Sequence, residues 1–325
     1  MDAALQTNLR DQLMVRREKL AEAVGEVGRA DDLVRLLHEV DSALKRLDGG
    51  TFGRCEVCEL SVDDSFLAAN PLIQFCLCDL NEAQQNALQR DLDLASRIQW
   101  ALLPRPGLEQ AGWLVEFRYQ PAGPLSGDYL DVVSKDGEGI YFLLGDVSGK
   151  GVAASFLMAR LNALFRSLID LNLPLKEIVQ RANRLFSEGT IASHYATLVC
   201  GRATPDGRIE ICNAGHCPPL LLRKGETRSL DSTGFPVGIF KEGPYSVCSV
   251  DLARGDTLFL YTDGLVEARS RAGEEYGAER LARLLGEARE RPPRTMISGA
   301  LEDLAAFLDG APRGDDLTVM AIRRA

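Results

Sequence analysis

The hydrophobic positions of the first hundred residues follow a helical period. Leucines and valines recur three or four residues apart up to Asp48, and Gly25 and Gly28 interrupt this pattern. The sequence therefore predicts two antiparallel helices joined between residues 25 and 30. A second helical stretch begins near Asn81 and ends at residues 104–106, which contain two prolines. It predicts a linker helix between two parts of the chain.

The linker helix carries an apolar stripe with helical spacing. Such a stripe is typical either of a dimer seam or of a helix packed on its own domain, and it is too short to decide for a coiled coil. Both interpretations stay open. The stripe consists of Leu88, Leu92, Ala95, Ile98 and Leu102.

After Gly107 the pattern changes to short runs with a period of two. In residues 113–119 the apolar positions alternate with others, as in a half-buried strand. Runs of strands interrupted by paired helices predict an α+β fold, a β-sandwich flanked by helices. The predicted strands are 113–119, 140–144, 195–200, 208–212, 219–222, 246–252, 257–261 and 317–322, and the predicted helices are 152–171, 175–188, 278–286 and 294–308.

Composition narrows the class of protein. The chain has 325 residues, of which 46% are hydrophobic and 26% charged, and 37 basic against 47 acidic residues give a net charge of −10. That charge disfavours nucleic-acid binding by bulk attraction to phosphates. No basic leader and no apolar run near the ~20 residues that span a bilayer is evident, so we expect a cytoplasmic protein with no membrane partner.

The eight cysteines fall into two groups. Four lie within 24 residues, a spacing that indicates a metal site, and four are scattered through strand-like sequence as ordinary buried thiols. Four thiolates around zinc would replace a hydrophobic core in so small a segment. The clustered cysteines are Cys55, Cys58, Cys76 and Cys78.

Four aspartates, each beside a glycine, adjoin predicted strands. A carboxylate at the edge of a core is costly without a positive partner, and no lysine or arginine adjoins all four. A shared cation is the simplest partner, and oxygen ligands favour Mg²⁺ or Mn²⁺. Any one Asp-Gly pair could instead serve only as a turn. The four are Asp128, Asp146, Asp263 and Asp315.

Five motifs follow one another in the second part of the chain. They are Ser126–Asp131, Gly145–Gly151 with Ala153-Ala154, Asn213–Pro219, Tyr261–Glu267 and Asp315–Thr318. In this order they resemble the PPM-type serine/threonine phosphatases, and most of all their SpoIIE/RsbU branch. The resemblance covers about residues 108–323 and implies a β-sandwich flanked by helices, with two Mn²⁺ or Mg²⁺ ions in a cleft at one end. It also implies that a metal-bridging water, and no side chain, would attack the phosphate.

The resemblance also implies roles for single residues. Asp146 would bridge the two metals, with the Val147 carbonyl on the second metal, which Asp128 would serve through its waters. Asp263 and Asp315 would complete the set, and sequence alone does not separate Asp315 from its neighbour Asp316.

Other residues near the motifs have less certain roles. Lys150 either attracts the substrate phosphate or is simply solvated. His216 either orients a proton or supports its turn, and we interpret it as structural. Asp131 belongs to its motif without an assigned metal role, and neither Cys217 nor Ser148 needs to be reactive.

Residues 30–80 resemble the DksA/TraR-type zinc finger. The likeness rests on residues 43–58, on Ala69-Asn70-Pro71 and on Phe75-Cys76. It departs at the end, where Asp79 stands in place of the usual fourth cysteine and Cys78 lies one position early. We expect one Zn²⁺ with Cys78 completing the site, and a sensing, dimerising or docking role.

Together these features predict three segments. They are a helical hairpin with a zinc finger over residues 1–82, a linker helix over 83–106 and a phosphatase domain over 107–325. The resemblance implies hydrolysis of phosphoserine or phosphothreonine on a STAS-type anti-sigma-factor antagonist, with a homodimer through the linker helix as a possible assembly. The alternative is a zinc-finger adaptor that binds phosphoproteins without catalysis.

Overall fold

The computed structural model describes residues 3–27, 31–55, 60–62, 64, 67, 71–73, 82–135, 137–188, 194–224 and 226–325. The chain divides into two compact units, and the division falls between Ala95 and Ser96. Nothing in this division tests the segment limits expected from the sequence, which stay a prediction.

The first unit contains two long helices, α1 (Ala3–Val27) and α2 (Asp31–Asp48). Ion pairs join Arg10 to Asp48 and Arg17 to Asp41, so the helices run antiparallel, as the sequence predicts. Their apolar faces and the segment after α2 share one buried cluster. It contains Leu9, Leu13, Val40, Ala43, Leu47, Phe52, Cys55, Val62 and Leu67.

Helix α3 (Glu82–Leu102) continues from the first unit into the second. The second unit then contains two antiparallel sheets. The six-stranded sheet has the order β1-β2-β11-β10-β7-β8, and the five-stranded sheet has the order β3-β4-β5-β6-β9. The strands are β1 (Leu108–Gln110), β2 (Trp113–Gln120), β3 (Asp128–Lys135), β4 (Gly139–Val147), β5 (Ala196–Ala203), β6 (Arg208–Ala214), β7 (Leu220–Arg223), β8 (Glu226–Ser229), β9 (Cys248–Asp251), β10 (Thr257–Tyr261) and β11 (Leu317–Arg324).

The two sheets pack face to face around one apolar core. Trp113, Phe117 and Met320 of the six-stranded sheet belong to the same buried cluster as Leu130 and Phe142 of the five-stranded sheet. Alternate residues of each strand point to opposite faces of the sheet. The residues on the two outer faces belong to two further buried apolar clusters. Helices cover both outer faces, and the predicted α+β sandwich is confirmed.

Five helices accompany the sheets in the described part of this unit. Helices α4 (Gly151–Ile169) and α5 (Leu175–Glu188) pack on the five-stranded sheet, whereas α7 (Ala278–Ala288) and α8 (Pro293–Leu308) pack on the other. The short helix α6 is Asp263–Val266.

Helix α4 is long and apolar enough to cross a membrane by length and composition alone. Its buried residues, among them Met158 and Phe165, lie in the core cluster on the five-stranded sheet. Packing therefore accounts for its apolar composition.

Strand β3 is missing from the strands predicted by the sequence pattern. Its first five residues are all buried, yet two of them are Asp128 and Asp131. A strand that is covered on both faces is expected to be a continuous apolar run, and these two aspartates interrupt that run.

Candidate metal centre

Two of the predicted aspartates face each other across one pair of strands. Asp128 is the first residue of β3, and Asp146 lies one residue before the end of β4. The antiparallel register makes these two residues direct partners. Because directly opposite side chains lie ~4.5–5.5 Å apart at Cβ, the two carboxylates occupy the same end of the five-stranded sheet.

The six-stranded sheet brings a second pair to the same end of the sandwich. Asp263 follows the last strand residues of β10, and Asp315 precedes the start of β11. A Cβ on Gly264 would lie 1.8 Å from the Asp316 carbonyl oxygen and 3.4 Å from the Asp315 Cβ. The two segments thus touch at a position where only glycine fits.

Two threonine hydroxyls connect the sheets at the site. Thr262 Oγ1 donates a hydrogen bond of 3.2 Å to Asp128 Oδ2, and Thr318 Oγ1 donates to the same oxygen. The Thr318 amide in turn donates to Thr262 Oγ1 at 2.9 Å. Asp128 is therefore oriented by residues of the opposite sheet, which bind one of its two carboxylate oxygens.

The carboxylates repel one another strongly. Burial first, and then the neighbouring aspartates, hold the pKa of both Asp128 and Asp146 well above the usual range. Burial and the charge of Asp315 raise the pKa of Asp263 to about 6, although Lys150 opposes this rise. A bound divalent cation would relieve this repulsion.

Asp316 is engaged differently from Asp315. Its Oδ1 accepts a hydrogen bond of 2.7 Å from the Ala122 amide, and its Oδ2 accepts one of 2.9 Å from the Gly127 amide. Both carboxylate oxygens thus hold the loop before β3. This placement favours Asp315 as the metal ligand of the adjacent pair.

Gly127 leaves space beside two of the predicted ligands. A Cβ at this position would lie 3.0 Å from the Val147 carbonyl oxygen and 3.2 Å from Asp146 Oδ1. A side chain would fill the space next to both oxygens. The donors around it are carboxylate and carbonyl oxygens, which fit Mg²⁺ or Mn²⁺.

In the described residues, no group of three or more histidine, cysteine, aspartate or glutamate side chains is placed to hold a metal ion as it stands. The strands bring Asp128, Asp146, Asp263 and Asp315 to one end of the sandwich, but the side chains do not converge on a common point. The mutual repulsion of these carboxylates provides a physical reason for that arrangement.

Lys150 forms an ion pair with Asp315, one of the predicted metal ligands. Its Nζ lies 3.1 Å from Asp315 Oδ2 and donates a 2.6 Å hydrogen bond to the Gly314 carbonyl. The residue directly precedes α4. Its ammonium thus partly neutralises Asp315, and the predicted contact with a substrate phosphate stays a prediction.

Asp131 has a structural partner. Arg166 Nε and Nη2 each donate a hydrogen bond of 2.8 Å to one of its carboxylate oxygens, and Asn162 and the Val132 amide also donate to it. These bonds fasten α4 to β3. Both carboxylate oxygens of Asp131 are engaged in these hydrogen bonds, on the face of the sheet that α4 covers.

His216 and Cys217 are placed as structural groups. His216 Nδ1 lies 2.9 Å from Thr197 Oγ1, and the His216 amide donates to Asn213 Oδ1 at 2.8 Å. Burial lowers the pKa of His216 to about 4, so the ring is neutral at pH 7. Burial and nearby carboxylates raise the pKa of Cys217 to about 12, which keeps the thiol protonated.

Three residues that support the site are not among those predicted from the sequence. Thr262 and Thr318 lie within two of the phosphatase-like motifs. Thr262 directly precedes Asp263, and Thr318 follows Asp316 by two residues, which is the signal that could have identified them. Gln99 of α3 binds the main chain of Ser126 with both ends of its amide. No local pattern identifies Gln99, because its partner lies 27 residues further along the chain.

Only Cys55 of the four predicted zinc ligands lies in the described part of the chain, and it is buried. Its amide donates to the Leu60 carbonyl at 2.9 Å, and Arg54 and Ser61 form an antiparallel bridge around it. Cys58, Cys76 and Cys78, as well as Asp79, lie outside the described residues. The zinc site stays a prediction.

Comparisons with known proteins agree with this fold. Residues 136–325, more than half of the chain, match the family described as stage II sporulation protein E (SpoIIE). That range contains Asp146, Asp263, Asp315 and Asp316, whereas Asp128 precedes it. The chain therefore belongs to the SpoIIE family, a class of PP2C-type serine phosphatases, which confirms the phosphatase resemblance.

Individual relatives extend the match. Protein IcfG of Synechocystis is 29% identical over 274 residues, which are 75% of this chain and 43% of IcfG. Phosphoserine phosphatase RsbU of Bacillus subtilis is 25% identical over 243 residues, which are 74% of this chain and 72% of RsbU. The chain thus spans less than half the length of one relative and most of the other.

A solved structure supports the fold. The SiaA-PP2C domain of Pseudomonas aeruginosa matches with a TM-score of 0.65 and 20% identity, and the match covers 74% of this chain and 98% of that domain. At this identity the likeness concerns the fold alone.

Proposed function

We propose that this protein is a metal-dependent phosphatase that hydrolyses phosphoserine or phosphothreonine in another protein. The observation that carries the proposal is the pairing of Asp128 with Asp146 at the same end of the sandwich as Asp263 and Asp315. A bound cation would offset the burial and mutual repulsion that raise the pKa values of Asp128 and Asp146, and membership of the SpoIIE family supports phosphate-ester chemistry.

Each ligand has an expected place. Asp146 would bridge two Mn²⁺ or Mg²⁺ ions, the Val147 carbonyl and Asp128 would serve the second ion, and Asp263 with Asp315 would complete the set. Bound ions of this kind lower the pKa of water and neutralise phosphoryl oxygens. Thr262 and Thr318 orient Asp128 for this task, and Gly127 keeps the space beside Val147 and Asp146 open.

The test is phosphate release from a phosphoserine peptide and from para-nitrophenyl phosphate by the full chain. Turnover that requires Mn²⁺ and disappears with chelator is expected. Asp146→Asn should lower it at least a hundredfold while the fold persists, and exposed Asp231→Asn should leave it unchanged. Full activity of purified Asp146→Asn would remove the assignment, and an inactive unaltered chain that binds phosphoproteins would favour the adaptor.

For the substrate we propose a phosphorylated STAS-type anti-sigma-factor antagonist in a partner-switching pathway of the cytoplasm. The similarity to RsbU, which is described as a phosphoserine phosphatase, supports this class. The test compares the rate of phosphate release from a panel of phosphorylated STAS domains with the rate from phosphopeptides of other origin. Equal rates on both groups would contradict STAS specificity.

We also propose a homodimer through α3 and one Zn²⁺ held by Cys55, Cys58, Cys76 and Cys78. The exposed Leu88 and Ile98 support the dimer. The burial of Cys55 and the antiparallel bridge between Arg54 and Ser61 support the zinc site. Purified protein should contain one equivalent of zinc by mass spectrometry, and Cys55→Ser should lose it, whereas Cys248→Ser should keep it.

A further inference from the structure

Exposed apolar side chains gather on two segments of the second unit. Among the residues after Gly107 that the structure describes, eight large hydrophobic side chains are exposed, and five of them lie in residues 152–156 or 235–240. Phe156 is 72% exposed and Phe235 is 50% exposed, so packing within the described chain does not explain their apolar side chains. We call these five residues the apolar patch. They are Val152, Phe156, Phe235, Ile239 and Phe240.

The loop that carries three of these residues is fixed in place. The side chain of buried Asn183 donates a hydrogen bond of 2.9 Å to the Phe240 carbonyl. Val237 and Ala196 exchange two main-chain hydrogen bonds of 2.8 and 2.7 Å. The rings of Phe235 and Phe240 meet edge to face, with 5.2 Å between their centroids. A partner therefore meets aromatic side chains on a loop that is already ordered, which lowers the entropy cost of binding.

The two segments of the apolar patch meet at the last turns of α5. Val152 and Phe156 are four residues apart on α4 and share one face of that helix. Arg160, one turn further, donates to the Leu185 carbonyl of α5. Asn183 of the same helix binds the loop. Leu185 is exposed as well, so the apolar surface continues from α4 across α5 to the loop.

The apolar patch borders the metal end of the sandwich. Tyr195 directly precedes β5, to which the loop is bonded, and its amide donates to Ser148 Oγ at 2.9 Å. Ser148 follows the predicted metal ligand Val147, and Val152 follows Lys150 by two residues. A stable protein–protein interface covers about 800 Å² on each partner. A protein that brings a phosphoserine to the metals would therefore also cover this neighbouring surface.

The charge of these segments differs from that of the whole chain. Residues 148–160 and 232–241 contain Lys150, Arg160 and Lys241 but no aspartate or glutamate, although the net charge of the chain is −10. A phosphoserine carries a charge of about −1.5 to −2, so a phosphoprotein complements these cations. A second copy of the chain fits less well, because a two-fold symmetric contact would bring the same basic segments together.

We propose that the apolar patch is the docking surface for the folded domain that carries the substrate phosphoserine. The inference rests on the proposed function and adds a recognition surface outside the metal centre. Phe156 and Phe235 are its anchors, and the basic residues attract the phosphorylated face of the partner. The patch therefore lowers the KM for a folded substrate and has no part in the hydrolysis of a small ester.

The experiment uses the full chain with three substrates. They are the phosphorylated STAS domain that is hydrolysed fastest in the panel, the phosphoserine peptide of the same sequence and para-nitrophenyl phosphate. The unaltered chain should have a kcat/KM at least tenfold higher for the domain than for its peptide. Phe156→Ser and Phe235→Ser should each lower the value for the domain about tenfold, mainly through KM, as expected for interface anchors.

Turnover of para-nitrophenyl phosphate by both variants should stay within twofold of the unaltered chain. Lys241→Glu should raise the KM for the domain alone, because it reverses a charge beside the patch. Leu171→Ser is the matched control, since Leu171 is 55% exposed and lies outside the patch. It should match the unaltered chain on all three substrates.

Equal kcat/KM values of the unaltered chain for domain and peptide would overturn the inference and leave the phosphatase intact. Unchanged kinetics of both phenylalanine variants on the domain would do the same, and if one variant does not fold, the other decides. Conversion of a dimer to a monomer by both variants in sedimentation velocity would show that a second copy covers the patch, against the proposal. No turnover of para-nitrophenyl phosphate by the unaltered chain with Mn²⁺ would overturn both the proposed function and this inference.

Discussion

Asp131 holds the guanidinium of Arg166 with both of its carboxylate oxygens, each at 2.8 Å, although Asp131 is fully buried and half of the Arg166 side chain is exposed. The pair joins β3 to α4, and β3 begins with the predicted metal ligand Asp128. Hydrogen bonding to Asp131 raises the pKa of Arg166, so the guanidinium keeps its positive charge beside the buried carboxylate.

Arg166→Met should therefore destabilise the chain more than loss of an ordinary surface ion pair. It leaves a buried carboxylate without its cation, and we expect a loss of about 2–3 kcal/mol in the free energy of unfolding. Urea denaturation of the metal-free chain measures it. Arg181→Met, which removes an exposed pair with Glu177, should cost less than about 1 kcal/mol.

The same variant separates a structural role from a metal role. Mn²⁺ affinity of Arg166→Met and of Asp131→Asn should stay within about threefold of the unaltered chain, because Asp131 points to α4. A loss of affinity as large as that of Asp146→Asn would show that Asp131 is a ligand.

Asp263 predicts how stability depends on pH in the absence of metal. Its pKa is about 6 in the folded chain and ~3.9 in an unfolded chain, so folding favours the protonated form. Its contribution to stability is present in full below about pH 4 and is lost as pH rises through about 6. Asp263→Asn should then be more stable than the unaltered chain at pH 7.5, by up to about 3 kcal/mol, and by about half as much at pH 5.

Thermal denaturation in chelator at the two pH values tests this prediction. Exposed Asp231→Asn removes the same charge away from the site and should show no such difference. Added Mn²⁺ should stabilise the unaltered chain more at pH 7.5 than at pH 5, because the carboxylates are then ionised. A gain for Asp263→Asn that is the same at both pH values would contradict the raised pKa.

The sequence predicts those parts of the structure whose signal is local. Alternating apolar residues predict β2, and glycine beside aspartate marks the four aspartates that the strands bring to one end of the sandwich. Strand β3 and Asp131 are different, since a buried charge is tolerated there only because Arg166 arrives from a helix 35 residues later. Gln99 likewise has meaning only together with Ser126. Long-range pairing of this kind leaves no trace in a single sequence.

Lys150 offers a prediction on the competition between an ammonium and a metal ion. It pairs with Asp315 and the Gly314 carbonyl, so it occupies a carboxylate that a metal would use. Lys150→Met should bind Mn²⁺ about two- to fivefold more tightly, the range expected for loss of a partly exposed ion pair. Calorimetry measures this affinity, and Lys241→Met, at an exposed position elsewhere, is the control.

The kinetics of Lys150→Met test the predicted contact of Lys150 with the substrate phosphate. A KM for the phosphopeptide that rises several-fold, while Mn²⁺ binding tightens, is expected if the ammonium turns to the substrate phosphate once Asp315 holds metal. An unchanged KM would restrict Lys150 to its contact with Asp315.

The exposed apolar residues of α3 give a prediction about assembly. The exposed fractions of Leu88 and Ile98 are 36% and 57%, whereas Leu92 of the same stripe is half-buried. If a second copy covers this stripe, Leu88→Glu should shift the chain from dimer to monomer in sedimentation velocity, because a buried carboxylate would have no partner. Leu88 is chosen because it lies far along the helix from Gln99. Leu171→Glu, which alters an exposed apolar residue outside α3, should leave the sedimentation coefficient unchanged. A monomeric unaltered chain would contradict the proposed dimer.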